Sequence, residues 1–202
     1  MEGAKDVLYF THDYFANSSD KNNSLVATAK IAQSVGVERV VAVNPIELNL
    51  YYTEDQKQPL ESLEEAQHNA LQANPDRLTI LNTNLVYGHN SSYLTHYLAQ
   101  NVATGRIPSS LASDAYRYHP IGADDLTQAV LTSFEKLSEA KGQKFNVNGK
   151  ENATLRDVVA VLERSLGRAE GSTKLARLLP GVEFVEEFFV GIAHDRNMIR
   201  FA

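Results

Sequence analysis

The sequence predicts an α/β fold in which a parallel sheet is flanked by helices. Two apolar runs, DVLYFT at 6–11 and VVAV at 40–43, are typical of short buried strands. Apolar residues recur at helical spacing elsewhere, most clearly over 126–137. Strands that alternate with helices of this length indicate β–α–β units, and the strands of such units are parallel.

The remaining elements follow from local patterns and punctuating residues. Gly36 can cap a helix, Asn74-Pro75 ends another, and Thr154 with Asp157 forms a capping box at the start of a third. In chain order, we predict a polar loop at 13–23, a helix from Leu25 to Val35, strand 40–43, a helix from Leu60 to Gln72, a strand from Leu78 to Leu81, a turn at 87–90, a helix from Leu94 to Val102, a short strand at 118–121, a helix from Leu126 to Leu137, a strand from Lys144 to Asn148 and a helix from Leu155 to Leu166.

Composition excludes several classes of function. Apolar residues make up 43% of the 202 residues and charged residues 22%, which is typical of a globular protein. The net charge of −6 gives no reason to expect binding of nucleic acid, which requires a basic face. The absence of cysteine removes disulfides, thiolate metal ligands and cysteine nucleophiles. No run of 18 apolar residues predicts a membrane span, and residues 1–6 resemble neither a signal peptide nor a transit peptide.

Four segments, in order, resemble the later part of the extended short-chain dehydrogenase/reductase family. They are VERVVAV at 37–43, LTILNTNLVYG at 78–88, HPIGADDL at 119–126 and FNVNG at 145–149 followed by Thr154. The resemblance runs from about residue 6 to 168. It implies a partial Rossmann-like parallel sheet flanked by helices, at 1–106, and a small C-terminal α/β lobe at 107–202.

Within that family, three short segments resemble the dehydrogenase-like accessory subunit of mitochondrial respiratory complex I. These are DYF at 13–15 with the loop to Asn23, GRIP at 105–108, and IAHDR at 192–196. The resemblance implies a peripheral location on the matrix side of the mitochondrial inner membrane. It also implies that the partners are other protein subunits of a large membrane-associated complex.

Both signatures of the family's chemistry are missing. The 11 glycines never lie closer than four residues apart, so the glycine-rich turn that receives a pyrophosphate cannot be formed. In our alignment the family's serine falls on Asn44-Pro45, its tyrosine near Pro59 and its lysine near Leu63. Tyr52 and Lys57 are five residues apart, which is the wrong spacing for an acid/base pair on a helix. We therefore predict no catalytic, cofactor-binding or metal-binding residues in this chain and no enzyme activity of its own.

Other polar residues have ordinary structural interpretations. The six histidines show no i, i+4 ligand spacing, so we interpret them as surface or capping residues. Asp124 and Asp125 are interpreted as the acidic first turn of a helix rather than a catalytic carboxylate pair. Asn82-Thr83-Asn84 falls where the family contacts the nicotinamide end of its cofactor, and a polar loop at the sheet edge is the favoured interpretation.

The tail after residue 180 is apolar over more than one helical stripe. It fits a core helix of the second lobe, and it fits equally a docking face for a partner subunit or a membrane edge. The candidate interface residues are Phe184, Phe188, Phe189 and Ile192.

The leading hypothesis is a non-catalytic structural accessory subunit of a large mitochondrial membrane assembly, foremost respiratory complex I. One alternative is half of a split NAD(P)-dependent epimerase/dehydratase, with the glycine-rich turn supplied by another chain. Another is an accessory subunit of a different mitochondrial complex, such as ATP synthase. No cofactor is expected on this chain alone; NADPH becomes an expectation only if a partner chain supplies the glycine-rich turn.

Overall fold

The computed structural model describes residues 4–10, 18–45, 58–88, 93–108 and 117–176. These ranges contain alternating strands and helices, as the sequence predicts. The elements are β1 (Asp6–Phe10), α1 (Ser18–Ser34), β2 (Arg39–Pro45), α2 (Gln58–Ala73), β3 (Leu78–Thr83), β4 (Val86–Tyr87), α3 (Tyr93–Thr104), β5 (Arg106–Pro108), β6 (Ile121–Gly122), α4 (Ala123–Glu135), α5 (Leu137–Ala140), β7 (Lys144–Val147), α6 (Leu155–Ser165) and β8 (Lys174–Ala176).

The centre of the fold is a parallel sheet of four strands in the order β1-β2-β3-β7. Its middle strands are apolar and enclosed, and every residue of β3 is buried. A parallel strand covered on both faces needs apolar side chains on both, which explains the continuous Val-Val-Ala-Val run of β2. The predicted parallel α/β fold is confirmed.

Helices cover the two faces of this sheet unequally. On one face, Val40, Ala42 and Ile80 pack with Leu25 of α1 and Ala70 of α2. On the other face, the alternate residues Val41, Val43 and Leu81 pack with Val130 of α4. Because side chains alternate along a strand, the two clusters share the same strands and meet only through the backbone.

A third cluster forms a smaller unit around α3 and α6, which we call the small unit. Leu98 and Val102 of α3 pack against Leu155 of α6, Ile107 and Tyr118. Two short parallel pairs, β4 with β6 and β5 with β8, border this cluster. The division of the chain at residue 107 stays a prediction.

The predicted capping box at α6 is confirmed. The Thr154 hydroxyl accepts from the Asp157 backbone N–H at 3.2 Å, and an Asp157 carboxylate oxygen accepts from the Thr154 backbone N–H at 2.7 Å. These contacts satisfy backbone donors that the first turn of a helix leaves without partners.

Two expectations from the sequence are wrong. The stretch 18–23, predicted as part of a polar loop, belongs to α1, because serine, aspartate and asparagine are common where a helix begins. The strand at 144–147, expected in the small lobe, lies instead beside β3 in the main sheet. This pairing joins residues more than 60 positions apart, which a local pattern does not report.

Within the described ranges, no helix is both long enough and apolar enough to cross a bilayer.

Candidate functional site

Asparagines gather at the carboxyl-terminal edge of the sheet. The register places Asn44 of β2 opposite Asn82 of β3, and Asn82 opposite Asn146 of β7. Asn44 and Asn82 are buried, at 4% and 6% exposure, whereas Asn146 is exposed. In open parallel α/β sheets this edge is where ligands bind, which makes it the candidate site.

Asn82 is the centre of an amide network. Its Oδ1 accepts from Gln67 Nε2 at 2.8 Å and from Asn44 Nδ2 at 3.3 Å. Its Nδ2 donates to Asn146 Oδ1 at 3.3 Å and to Gln67 Oε1 at 3.5 Å. Gln67 is buried on α2, so the helix and three strands meet at one side chain. Both polar atoms of Asn82 are therefore engaged within the protein.

The two residues after Asn82 are also turned inward. Thr83 and Asn84 are buried, and Asn84 Oδ1 accepts from the Leu85 backbone N–H at 2.8 Å. This contact supports the backbone where the chain leaves β3 for β4. The sequence interpretation of Asn82-Thr83-Asn84 as a polar loop at the sheet edge is corrected in one respect: Asn82 and Thr83 belong to β3, and only Asn84 follows the strand.

The positions that align with the family's catalytic residues carry no acid/base pair. Asn44 and Pro45 end β2, where Asn44 lies opposite Asn82. Leu63 lies half-buried on α2, and Pro59 lies in the first turn of that helix. An amide, a proline and a leucine cannot exchange a proton with a substrate near neutral pH. Tyr52 and Lys57 lie outside the described residues.

Asp124 and Asp125 lie in the first turn of α4, as predicted. Of the histidines, His68 lies exposed on α2 with Nε2 2.8 Å from Gln72 Nε2. His119 is half-buried, and its carbonyl oxygen accepts from the Gly149 backbone N–H at 3.3 Å. No cluster of three metal-ligating side chains occurs in the part of the chain that the structure describes.

One buried carboxylate was missed by the sequence reasoning. Glu163 of α6 is 1% exposed, and its oxygens accept from the Thr173 and Gly171 backbone N–H groups at 2.6 and 2.7 Å and from the Ser172 hydroxyl at 3.3 Å. The Thr173 side chain first, and then these donors, lower the pKa of Glu163 to about 2, against the opposing effect of burial. The sequence offered two signals of this contact: an acidic residue, Glu163, beside the apolar Leu162 of the helix, and the Gly-Ser-Thr run at 171–173 that could donate to it.

Glu163 therefore fixes the loop that leads into β8. Arg168 in the same loop donates to the Ala103 carbonyl oxygen at 2.9 Å, near the end of α3. Both sets of contacts are internal to the small unit. The predicted interface residues Phe184, Phe188, Phe189 and Ile192 lie outside the described residues.

Comparisons with known proteins bear on the fold. No protein-family model matches the sequence, and no curated protein matches it. Solved structures do match. A dTDP-glucose 4,6-dehydratase from Bacillus anthracis in complex with NAD is similar at 14% identity and a TM-score of 0.63, over 87% of this chain and 61% of that one.

Two further solved structures are similar to the same extent. A dTDP-glucose 4,6-dehydratase from Streptomyces venezuelae, with NAD bound, gives 16% identity and a TM-score of 0.61 over 89% of this chain and 63% of that one. A UDP-N-acetylglucosamine 4-epimerase from Bacillus cereus gives 14% identity and a TM-score of 0.56. The match covers 86% of this chain and 67% of that one.

This chain thus spans 61% and 63% of the two dehydratases. At identities of this size the likeness shows the fold, which is the Rossmann-like fold of NAD-binding proteins. The described residues form a four-stranded parallel sheet of that fold, flanked by helices.

Proposed function

We propose that this chain is a non-catalytic structural subunit of a larger protein assembly, built from the later part of a dehydrogenase-like nucleotide-binding domain. The observation that carries the proposal is the free edge of β1. No strand of the described ranges pairs with that edge. Leu8 and Phe10 of β1 are 44% and 48% exposed, although they belong to a parallel sheet, and such sheets are normally covered on both faces.

The exposed residues of β1 lie on one face only. Leu8 lies opposite Val41 and Phe10 opposite Val43, both on the α4 face of the sheet. Val7 and Tyr9 point to the other face, where they pack against the cluster formed with α1 and α2. Among the described residues, helices thus cover one face of β1 and leave the other face exposed.

The handedness of crossover connections explains what would cover this face. From β1 to β3 the chain advances in one direction with α1 and α2 on the same face. Because such crossovers are right-handed, a β–α–β unit advancing the opposite way from β1 would place its helix on the opposite face. That is the face of Leu8 and Phe10. The uncovered patch is therefore expected where a doubly wound sheet reverses its direction.

The site chemistry supports a structural role over a catalytic one. The carboxyl-terminal edge is filled by amides that bond to each other, with Asn82 engaged at both polar atoms. The aligned positions of the family's reaction are held by Asn44-Pro45 and Leu63. A preformed active site would instead hold its polar groups ready for the substrate.

The resemblance in sequence makes the proposal more specific. The assembly we propose is a mitochondrial membrane complex, foremost respiratory complex I, with the chain peripheral on the matrix side. The test is mass spectrometry of the gently solubilised native assembly that contains the chain. We expect co-migration with respiratory-complex subunits. Recovery with subunits of another complex, such as ATP synthase, would reject complex I, and recovery as a lone stable monomer would reject the structural proposal itself.

A second candidate is half of a split sugar-nucleotide epimerase or dehydratase. The observation in its favour is that the similar solved structures are named as such enzymes, two of them with NAD bound. This candidate requires a partner chain that supplies the glycine-rich turn and also a tyrosine and a lysine. A purified pair that binds NAD(P) and turns over a nucleotide sugar would favour it. A pair that binds NADPH without turnover would indicate a structural nucleotide.

A further inference from the structure

The edge strand β7 has little apolar burial to fix its position. Three of its four residues are exposed, and Phe145 is 42% exposed. Only Val147 packs, half-buried, against the cluster of Val41, Val43 and Leu81. A strand with polar or exposed side chains on both faces is prone to slip along its neighbour, because no buried face specifies its register.

Polar contacts hold β7 at both ends. Before the strand, the buried Thr79 hydroxyl donates to the Ala140 carbonyl oxygen at 3.0 Å, and the Gly142 backbone N–H donates to the Leu78 carbonyl oxygen at 2.8 Å. Near the end of the strand, Asn82 Nδ2 donates to Asn146 Oδ1 at 3.3 Å. Asn82 is itself held by Gln67 and Asn44.

We propose that the Asn82-centred amide network is a positioning device that fixes the register of β7 and, through it, the attachment of the small unit to the sheet. A one-residue slip would bring Phe145 or Val147 beside the buried Asn82 amide. One of the two Nδ2 protons would then have no acceptor, because Gln67 Oε1, at 3.5 Å, can accept only the other. An unsatisfied buried amide is costly, so the network disfavours the slipped pairing more strongly than it stabilises the native one.

The consequence reaches beyond the strand. Two residues after β7, the Gly149 backbone N–H donates to the His119 carbonyl oxygen at 3.3 Å. The Ala153 backbone then pairs with Tyr118, and α6 begins directly afterwards at Leu155. A shift of β7 would therefore displace the contact at Gly149 and the start of α6. The network therefore affects the position of the small unit through β7, although its side chains do not contact the small unit.

Amide hydrogen exchange, measured by NMR or mass spectrometry on the intact chain, tests this inference. We expect Asn146→Ala to accelerate exchange over 145–149 by roughly five- to tenfold, which corresponds to the loss of one hydrogen bond. Exchange in β1 and β2 should remain unchanged. Asn82→Ala should produce the same change in β7 and a second one in α2, through the loss of the Gln67 contact.

Asn148→Ala is the matched control, because Asn148 is an exposed asparagine two residues away whose side chain forms no hydrogen bond with the described residues. Unchanged exchange of β7 in Asn146→Ala would overturn the proposal. So would an equal effect of Asn148→Ala, or acceleration spread evenly over the whole sheet. Asn146 is exposed, so its variant remains informative even if Asn82→Ala fails to fold. The outcome does not depend on the assembly role proposed above.

Discussion

The two outer strands of the sheet end it in different ways. At one edge, β7 exposes mostly polar residues and is fixed by side-chain and backbone hydrogen bonds at both ends. At the other, β1 exposes the large apolar residues Leu8 and Phe10 and has no proline, bulge or lysine within its five residues. Natural proteins protect exposed edges with such features. This difference is what we expect if β1, unlike β7, pairs with another chain, as proposed above.

The amino end of β1 is nevertheless well anchored. The Arg39 guanidinium forms a salt bridge with Asp6 and donates to the Phe134 carbonyl oxygen at 3.1 Å, with its charge 5.9 Å from the Phe134 ring. The pKa of Arg39 is raised, first through its hydrogen bond with Asp6. This contact ties β1 and β2 to the end of α4. The exposure of Leu8 and Phe10 therefore belongs to an ordered strand that is held in place.

The largest change in stability is expected just after the edge strand β7, at Gly149. A Cβ atom on Gly149 would lie 1.7 Å from the Pro120 carbonyl oxygen, where the chain leaves β7. Backbone atoms cannot yield to such a contact cheaply, so we expect Gly149→Ala to lower the free energy of unfolding by about 3 kcal/mol, as overpacking can. Chemical denaturation measures this value.

Gly167→Ala provides the control for that substitution. Gly167 has φ +68° and open space around its Cβ position, so alanine meets only backbone strain. That strain costs about 1 kcal/mol. Equal losses for the two variants would show that the end of β7 can move away from Pro120, and that the edge is less firmly fixed than we describe.

At the open edge, we expect changes in association rather than in folding. Leu8→Lys and Phe10→Lys add a charge to an exposed apolar patch, which opposes edge-to-edge pairing. The isolated chain should shift from larger species toward monomer in sedimentation velocity, with little change in its melting temperature. Val161→Lys, at a residue 51% exposed on α6, is the matched control and should leave the distribution unchanged. An equal effect of all three variants would contradict the claim that the β1 patch mediates association.

Replacing Glu163 should reduce stability mainly near neutral pH, and the difference from the natural sequence should shrink in acid. Its pKa is lowered from the ordinary 4.5 to about 2 in the folded protein. A lowered pKa means that this carboxylate stabilises the fold above about pH 4.5, and that the contribution is lost as the pH falls toward 2. We expect the melting temperature of Glu163→Gln to fall less than that of the natural sequence across this window.

Comparing Glu163→Gln with the natural sequence across this pH range distinguishes the small unit from β1. The small unit is held in part by the Glu163 carboxylate, whereas the exposed patch of Leu8 and Phe10 on β1 is apolar. Acid should therefore loosen the loop whose backbone N–H groups bond to Glu163. Parallel pH profiles for Glu163→Gln and the natural sequence would show that the buried carboxylate contributes no measurable stability.

Local patterns predicted the parts of this fold that depend on neighbouring residues. The Val-Val-Ala-Val run identified β2, and Thr154 with Asp157 identified the start of α6. The amide network could not be predicted in this way, because Asn44, Gln67, Asn82 and Asn146 come together only when distant strands pair. The placement of β7 was missed for the same reason. Asn44 was noticed only as a departure from an expected serine, and its bond to Asn82 required the sheet register.

The most direct test of the central proposal is hydrogen exchange of β1 in two states: within the native assembly and in the isolated chain. We predict that amides of Asp6–Phe10 that face away from β2 are protected in the assembly and exchange rapidly in the isolated chain at a dilution where it is monomeric. Exchange in β3, which is buried in both states, serves as the internal reference. Equally rapid exchange of those β1 amides in both states would contradict the proposal, because it would show that nothing pairs with this edge.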